Sequence, residues 1–164
     1  MRHTISCIVR NRPGVLARVA NAFANRQVNI HSLAVNESEV ENVSRITIVI
    51  EGEKEQLEAI AEDTAELEDV VEVEDLNRRG FLDRELVLAK VTAKADDLPR
   101  LMQIVEVMHA SVVAMGLDYM TVEMTGSEDK ISGFIRLLKP FGIREYARSG
   151  RVAVRAGELG GERA

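Results

Sequence analysis

Apolar and polar positions follow two different periods along the chain, and these periods predict strands and helices in a fixed order. Between residues 3 and 10, Ile5, Cys7 and Val9 fall on one face with a period of two, which is typical of a strand. From Pro13 to Arg26 the apolar residues recur at helical spacing. The same reasoning predicts four further elements: strands at 28–35 and 43–50, a helix at 53–68 and a strand at 70–76.

This βαββαβ order occurs a second time after the polar stretch at residues 77–80, which interrupts both periods. The second set comprises a strand at 84–95, a helix opened by residues 96–99, strands at 111–115 and 119–125, a helix at 127–138 and short strands at 143–147 and 151–154. The predicted fold class is α+β, with two tandem ferredoxin-like βαββαβ units whose antiparallel sheets carry their helices on one face. We assign residues 1–77 to a first domain, residues 82–157 to a second, and residues 158–164 to a disordered tail.

Composition narrows the class of protein. Of the 164 residues, 46% are apolar but only 4% are aromatic, so each unit has a modest core and oligomerisation is expected. The net charge of −6 disfavours nucleic acid as a partner. The one cysteine excludes an intrachain disulfide, and no apolar run approaches the roughly 20 residues that span a bilayer. We therefore expect a cytoplasmic protein without membrane or nucleic-acid partners.

The clearest candidate for chemistry is the junction between the first strand and the first helix. Pro13 presets φ for a first helical turn, and Gly14 lacks a Cβ, so a ligand can approach the backbone closely. The N–H groups of that turn and the positive end of the helix dipole suit a small anion such as a carboxylate. This is a binding cradle made of backbone, and it contains no catalytic group.

Other candidate residues give no second site. The histidines, His3, His31 and His109, are scattered and lack metal-ligand spacing, so no metal site is expected. Cys7 alternates with apolar residues, which indicates a buried strand position and not a nucleophile. No catalytic constellation is present.

Several polar residues near the turn have two interpretations. Asn11 and Asn29 could contact a ligand, or they could cap a helix and a turn. Arg18 and Arg45 could also contact a ligand, but they are interpreted as solvated or paired charges.

Two segments of the first half resemble the amino-acid-binding ACT domain. They are Asn-x-x-Gly-x-Leu-x-Arg-Val at residues 11–19, and Val-Asn-Ile with Ser-Leu at residues 28–33. Further segments are similar to the small regulatory subunit of acetolactate synthase, also called acetohydroxyacid synthase: SRITIV at 44–49, RELVLAKV at 84–91 and ARSGRVA at 147–153. The likeness runs in order from residue 2 to residue 157.

The resemblance implies a non-catalytic subunit. Such subunits bind and activate a thiamine-diphosphate-dependent catalytic large subunit, and they confer feedback inhibition by valine in branched-chain amino acid biosynthesis. It implies that this chain holds no cofactor, and that thiamine diphosphate, FAD and magnesium belong to the catalytic partner. Because relatives pair two ACT domains side by side, with the effector at the pair interface, a homodimer or higher oligomer is implied.

Carried onto this chain, the resemblance implies an effector site shared by two protomers. One side would be formed by Asn11, Gly14, Val15 and Leu16, and the other by Asn29 and Ile30 of the partner protomer. Backbone N–H groups near Gly14 would bind the carboxylate, and asparagine side-chain and backbone oxygens the ammonium group. Asn36 departs from the small residue that relatives commonly have there, and the departure bears on effector identity and sensitivity.

A second hypothesis is a free-standing ACT-type amino-acid sensor that regulates transcription or another enzyme. It would need a DNA-binding element or a different partner. The sequence shows no basic helix-turn-helix pattern.

Overall fold

The computed structural model describes residues 2–157, and their contacts divide into two compact units. The first unit comprises the described residues up to Leu82 together with those from Arg151 onward, and the second is Asp83–Gly150. The sequence assigns residues 151–157 to the second domain, whereas in the structure they group with the first unit. The predicted tail at residues 158–164 lies outside the described residues.

The first unit has the predicted βαββαβ order. Its elements are β1 (Arg2–Arg10), α1 (Val15–Asn25), β2 (Ile30–Glu37), β3 (Val43–Glu51), α2 (Lys54–Ala65) and β4 (Val70–Asp75), followed by a 3-10 turn at Leu76–Arg78. The strands form an antiparallel sheet in the order β2-β3-β1-β4. Alternate residues of β1 and β3 make the core with both helices: Ile5, Cys7, Val9, Ile46, Ile48, Ile50, Val19, Phe23, Leu57 and Ile60.

The second unit repeats this arrangement. Its elements are β5 (Phe81–Thr92), which starts two residues before the unit boundary, α3 (Leu98–Val107), β6 (Ser111–Met115), β7 (Tyr119–Gly126), α4 (Glu128–Leu138) and β8 (Ile143–Arg148). The sheet is antiparallel in the order β6-β7-β5-β8. The predicted helical stripe of α4 is confirmed, because Ile131, Phe134, Ile135 and Leu138 are all buried. The predicted fold class is therefore confirmed for both units.

The start of α1 differs from the prediction by two residues. The helix begins at Val15 and not at Pro13, because Gly14 adopts a left-handed conformation with φ 83°. A left-handed residue does not belong to a right-handed helix, so helical geometry starts after it.

The end of α1 explains why the next strand begins later than predicted. Gln27 is left-handed with φ 57°, and its N–H donates to the Ala24 carbonyl at 2.9 Å. The Val28 N–H donates to the Phe23 carbonyl at 3.1 Å, and both side chains are buried in the core. This is a Schellman ending, which uses Val28 to close the helix. The strand β2 therefore begins at Ile30.

The other end of β2 extends into a predicted loop. Asn36 pairs with Arg45 and Glu37 with Ser44 in the β2–β3 ladder. Because the Ser38 N–H also donates to the Val43 carbonyl at 2.8 Å, the β2–β3 pairing continues past residues 36 and 37, and their polar composition does not end the strand.

The C-terminal strand β9 (Val152–Arg155) follows the left-handed Gly150 and belongs to the first unit. The Arg151 N–H donates to Ser32 Oγ at 2.9 Å, and its Nη1 donates to Thr4 Oγ1 at 2.7 Å. Arg155 forms ion pairs with Glu72 and Glu74 of β4. The Ala156 N–H also donates to the Gly80 carbonyl at 3.2 Å. These contacts, which the hydrophobic pattern does not encode, hold the segment on the first unit.

A buried ion pair joins two strands of the second unit. Glu85 lies in the same alternating row of β5 as the core residues Val87 and Ala89, and its side chain is only 4% exposed. The Arg148 guanidinium of β8 donates to Glu85 Oε2, with Nε at 2.9 Å. Removing the cation would leave a desolvated carboxylate without its partner.

We predict that Arg148→Met destabilises the second unit by about 2–4 kcal/mol, since it leaves Glu85 buried and uncompensated. The measurement is denaturant unfolding followed by tyrosine fluorescence, because both tyrosines, Tyr119 and Tyr146, lie in this unit. Glu145→Gln is the control: it breaks the exposed Lys90–Glu145 pair and should cost less than about 0.5 kcal/mol. Equal unfolding midpoints for the two variants would show that the Glu85–Arg148 pair stabilises the unit no more than an exposed ion pair does.

Candidate effector site

The turn between β1 and α1 presents an uncapped helix N-terminus. Gly14 occupies the N-cap position, and no described side chain caps the helix. The Leu16 and Ala17 N–H groups belong to the first turn, where an α-helix supplies no backbone acceptor. Together with the helix dipole, they make a site suited to a carboxylate.

Val15 contributes less to this turn than the sequence suggests. Its N–H already donates to the Arg12 carbonyl, with a long N–O distance of 3.3 Å. Its side chain is 8% exposed and packs in the core. Leu16, by contrast, is 38% exposed, so this apolar residue is partly accessible at the turn.

Asn11 is held beside the turn by two contacts. Its backbone N–H donates to the Asn42 carbonyl at 2.8 Å, and its Nδ2 donates to Glu37 Oε1 at 3.4 Å. Donation from the amide nitrogen orients the side-chain oxygen away from Glu37 and leaves it as an acceptor. Asn11 therefore joins the Gly14 turn to the C-terminal end of β2.

Asn29 and Ile30 lie at the opposite end of β2. Ile30 pairs with Ile50, whereas Glu37 pairs with Ser44, close to the end of β1 that carries Asn11. Seven residue steps at about 3.3 Å separate Ile30 from Glu37 by roughly 23 Å. Within one chain, the structure does not bring the two groups of predicted site residues together.

The strand that separates them is an edge strand with apolar side chains at its surface. Among residues 2–157, β2 pairs with β3 alone, and Leu33 and Val35 are 37% and 39% exposed. Leu33 lies opposite Ile48 and Val35 opposite Ile46, so both point to the helix-bearing face. An unpaired edge with exposed apolar residues is suited to pairing with another strand.

Asn36 is exposed and lies within β2, one residue before Glu37. Because the neighbouring Glu37 contacts Asn11, Asn36 also lies near the Gly14 turn.

An ion-pair cluster of Arg12, Arg18 and Asp69 lies beside Gly14, and it was not predicted from the sequence. Arg12 Nη1 lies 3.3 Å from Asp69 Oδ1, and Arg18 also forms an ion pair with Asp69. The Asp69 side chain is only 7% exposed. Arg18 is therefore a paired charge, as interpreted from the sequence, but its partner lies 51 residues away along the chain.

The described residues 2–157 contain no group of three or more His, Cys, Asp or Glu that could hold a metal ion. No helix among them is long and apolar enough to cross a membrane.

Comparison with known proteins agrees with the arrangement of the two units. A family model described as an AHAS small subunit-like ACT domain matches residues 5–72, and one described as the small subunit of acetolactate synthase matches residues 84–157. The acetolactate synthase small subunit of Mycobacterium leprae is 40% identical over 158 residues, which cover 96% of this chain and 94% of the relative. A probable small subunit from Archaeoglobus fulgidus is 38% identical over 154 residues, covering 94% and 96%.

A solved structure extends the likeness to three dimensions. The acetolactate synthase small subunit from Thermotoga maritima superimposes with a TM-score of 0.87 at 33% identity, covering 97% of this chain and 99% of that one. Fold and matches together define a regulatory protein with an N-terminal ACT domain. The chain belongs to the acetolactate synthase small subunit family, and it is thus a non-catalytic regulatory subunit of branched-chain amino acid biosynthesis.

Cys7 provides a test of the first unit's core. The residue is fully buried in β1, and burial raises the pKa of its thiol to about 12. Because the thiolate is the reactive form, we predict that the folded protein does not react with an aromatic disulfide reagent at pH 8, whereas the denatured protein reacts fully. Rapid labelling of the folded protein would show that the first unit opens under native conditions. If the first unit does not open in this way, labelling of Cys7 measures the unfolding of the first unit and not of the second.

Proposed function

We propose that this subunit binds valine across a pair of ACT domains, activates the catalytic large subunit of acetolactate synthase and transmits feedback inhibition to it. Family membership supports the partnership with the large subunit. Under this proposal the catalytic subunit carries thiamine diphosphate, FAD and magnesium, and the complex is cytoplasmic.

The observation that carries the proposal is the separation of the predicted site residues along β2. If β2 of one protomer pairs antiparallel with β2 of a second copy, a two-fold axis brings the N-terminal end of one strand to the C-terminal end of the other. Asn29 of the second copy then lies beside Asn11 and Gly14 of the first. The unpaired edge of β2 and its exposed Leu33 and Val35 favour this pairing.

The chemistry of the two halves suits a small amino acid. The first turn of α1 offers backbone N–H groups to the carboxylate, and the Asn11 side-chain oxygen and the partner's Asn29 accept from the ammonium group. Leu16 and Leu33 supply apolar surface for a short aliphatic side chain. Asn36 lies next to Glu37 at this end of β2, where it would tune the affinity.

Reconstitution with the catalytic large subunit from the same genome tests the regulatory role. We predict that adding this chain raises acetolactate formation, and that valine lowers the rate only when this chain is present. Size-exclusion chromatography of the mixture should show one complex that contains both chains. Failure to bind or to stimulate the catalytic subunit would refute the proposed function and favour a free-standing sensor.

Mixed dimers test the shared site directly. Asn11→Ala and Asn29→Ala chains carrying different tags are co-expressed, and the dimer that holds both tags is isolated. We predict that either variant alone binds valine at least tenfold more weakly, whereas the mixed dimer recovers the original affinity at one of its two sites. Recovery arises because one site keeps both asparagines and the other has neither.

The control for mixing is a dimer of two differently tagged Asn11→Ala chains, which should show no recovery. Calorimetric titration gives affinity and site number together. If the mixed dimer bound as weakly as its parents, Asn11 and Asn29 would not meet across the interface, and the shared site would be wrong.

A further inference from the structure

The Gly14 turn is bordered by two guanidinium groups that share one buried carboxylate. Asp69 follows α2, and its carbonyl accepts the Arg10 N–H at 2.8 Å, so its backbone is fixed to the end of β1. Its carboxylate binds Arg12 and Arg18, one on each oxygen. With the side chain only 7% exposed, the carboxylate depends on these cations for compensation.

The position of Arg18 makes this cluster part of the turn. A Cβ built on Gly14 would lie 3.2 Å from Arg18 Nη1, so the guanidinium reaches back one helical turn and lies against Gly14. The Arg18 side chain is 46% exposed, in contrast to its carboxylate partner. The guanidinium is therefore held by Asp69 beside the helix N-terminus, on a side chain that is about half exposed.

The charge balance of the cluster also differs from that of other ion pairs in the first unit. Two arginines and one aspartate sum to +1 beside Gly14, whereas Arg155 and Arg79 with Glu72 and Glu74 sum to zero. Arg26 and Asp63, at the other end of α1, form a neutral exposed pair. The excess positive charge thus lies where the helix dipole is also positive.

We infer that Arg18 is the side-chain cation that faces the effector's carboxylate, and that Asp69 is a positioning residue that holds its guanidinium against Gly14. The inference rests on the proposed function and adds to it a specificity for ligands that carry a carboxylate. A guanidinium fixed by a buried acid loses little conformational freedom when it meets a second anion, so its hydrogen bonds to the ligand cost less entropy.

Comparison of valine with valinamide tests this role, because valinamide keeps the ammonium group and side chain but lacks the carboxylate. We expect Arg18→Gln to weaken valine binding by about tenfold or more and valinamide binding by less than about twofold. Arg18→Lys keeps the charge and should recover part of the loss for valine. Titrations use the full chain, and an unreactive Cys7 verifies that the first unit of each variant is folded.

Arg26→Gln is the matched control, since it removes an acid-paired arginine from the C-cap of the same helix, about two turns further along. It should leave valine affinity unchanged. If Arg26→Gln and Arg18→Gln weakened valine binding equally, the loss of one positive charge would explain the effect, and the inference would be wrong. Equal losses for valine and valinamide in Arg18→Gln would make Arg18 structural and overturn it as well.

A double-variant cycle tests Asp69. Asp69→Asn should weaken valine binding in the original chain but have little further effect in the Arg18→Gln chain, because it acts through Arg18. An equal effect in both backgrounds, or none in the original chain, would refute the positioning role. If the unmodified protein bound no valine, the proposed function and this inference would both fail. If it binds valine and the variants give the contradicting results described above, only this inference fails.

Discussion

The ladder between β1 and β3 is the constraint on which the first unit depends. Nine consecutive residue pairs, from Arg2–Glu51 to Arg10–Val43, follow one register without irregularity. This register aligns the buried rows of both strands beneath the helices, and it ends where the Gly14 turn begins. The flanking ladders contain the register shifts, at Ile8/Val9 beside β4 and at Ile30/Ser32 in β2. The centre of the sheet is therefore regular, and the irregularities lie in the outer ladders.

The register of this ladder explains why the candidate site residues form two separate groups. Because β3 runs antiparallel to both of its neighbours, β1 and β2 end at the same edge of the sheet, and the end of β1 is far from the beginning of β2. Residues that lie within 20 positions of each other in sequence, Asn11 and Asn29, are thereby placed at opposite ends of a strand. In the proposed function a second copy would bring them together, which would make the binding a property of the dimer and not of the single chain.

Much of the fold was predictable from periodicity, because burial on one face imposes it. The α4 stripe and the alternation of Ile46, Ile48 and Ile50 are of this kind. The errors arose where backbone conformation or pairing overrides composition: Gly14 and Gln27 are left-handed, and Asn36 is drawn into β2 by its pairing with Arg45. Among the predicted site residues, the positions of Asn29 and Ile30 along β2 could be derived from the order of the strands. The Arg18–Asp69 pair could not, since no local pattern relates residues 51 positions apart.

A site shared by two chains would join ligand binding and dimer geometry in one equilibrium. A ligand that contacts both chains stabilises only the arrangements in which both halves of the site meet. A catalytic subunit bound to the same dimer responds only if its states differ in affinity for those arrangements, and by linkage it changes valine affinity by the same factor. Ser32 bears on this coupling, because it follows the β2 register shift and accepts the Arg151 N–H. A shift of β2 large enough to break that bond would remove one of several attachments of the C-terminal segment.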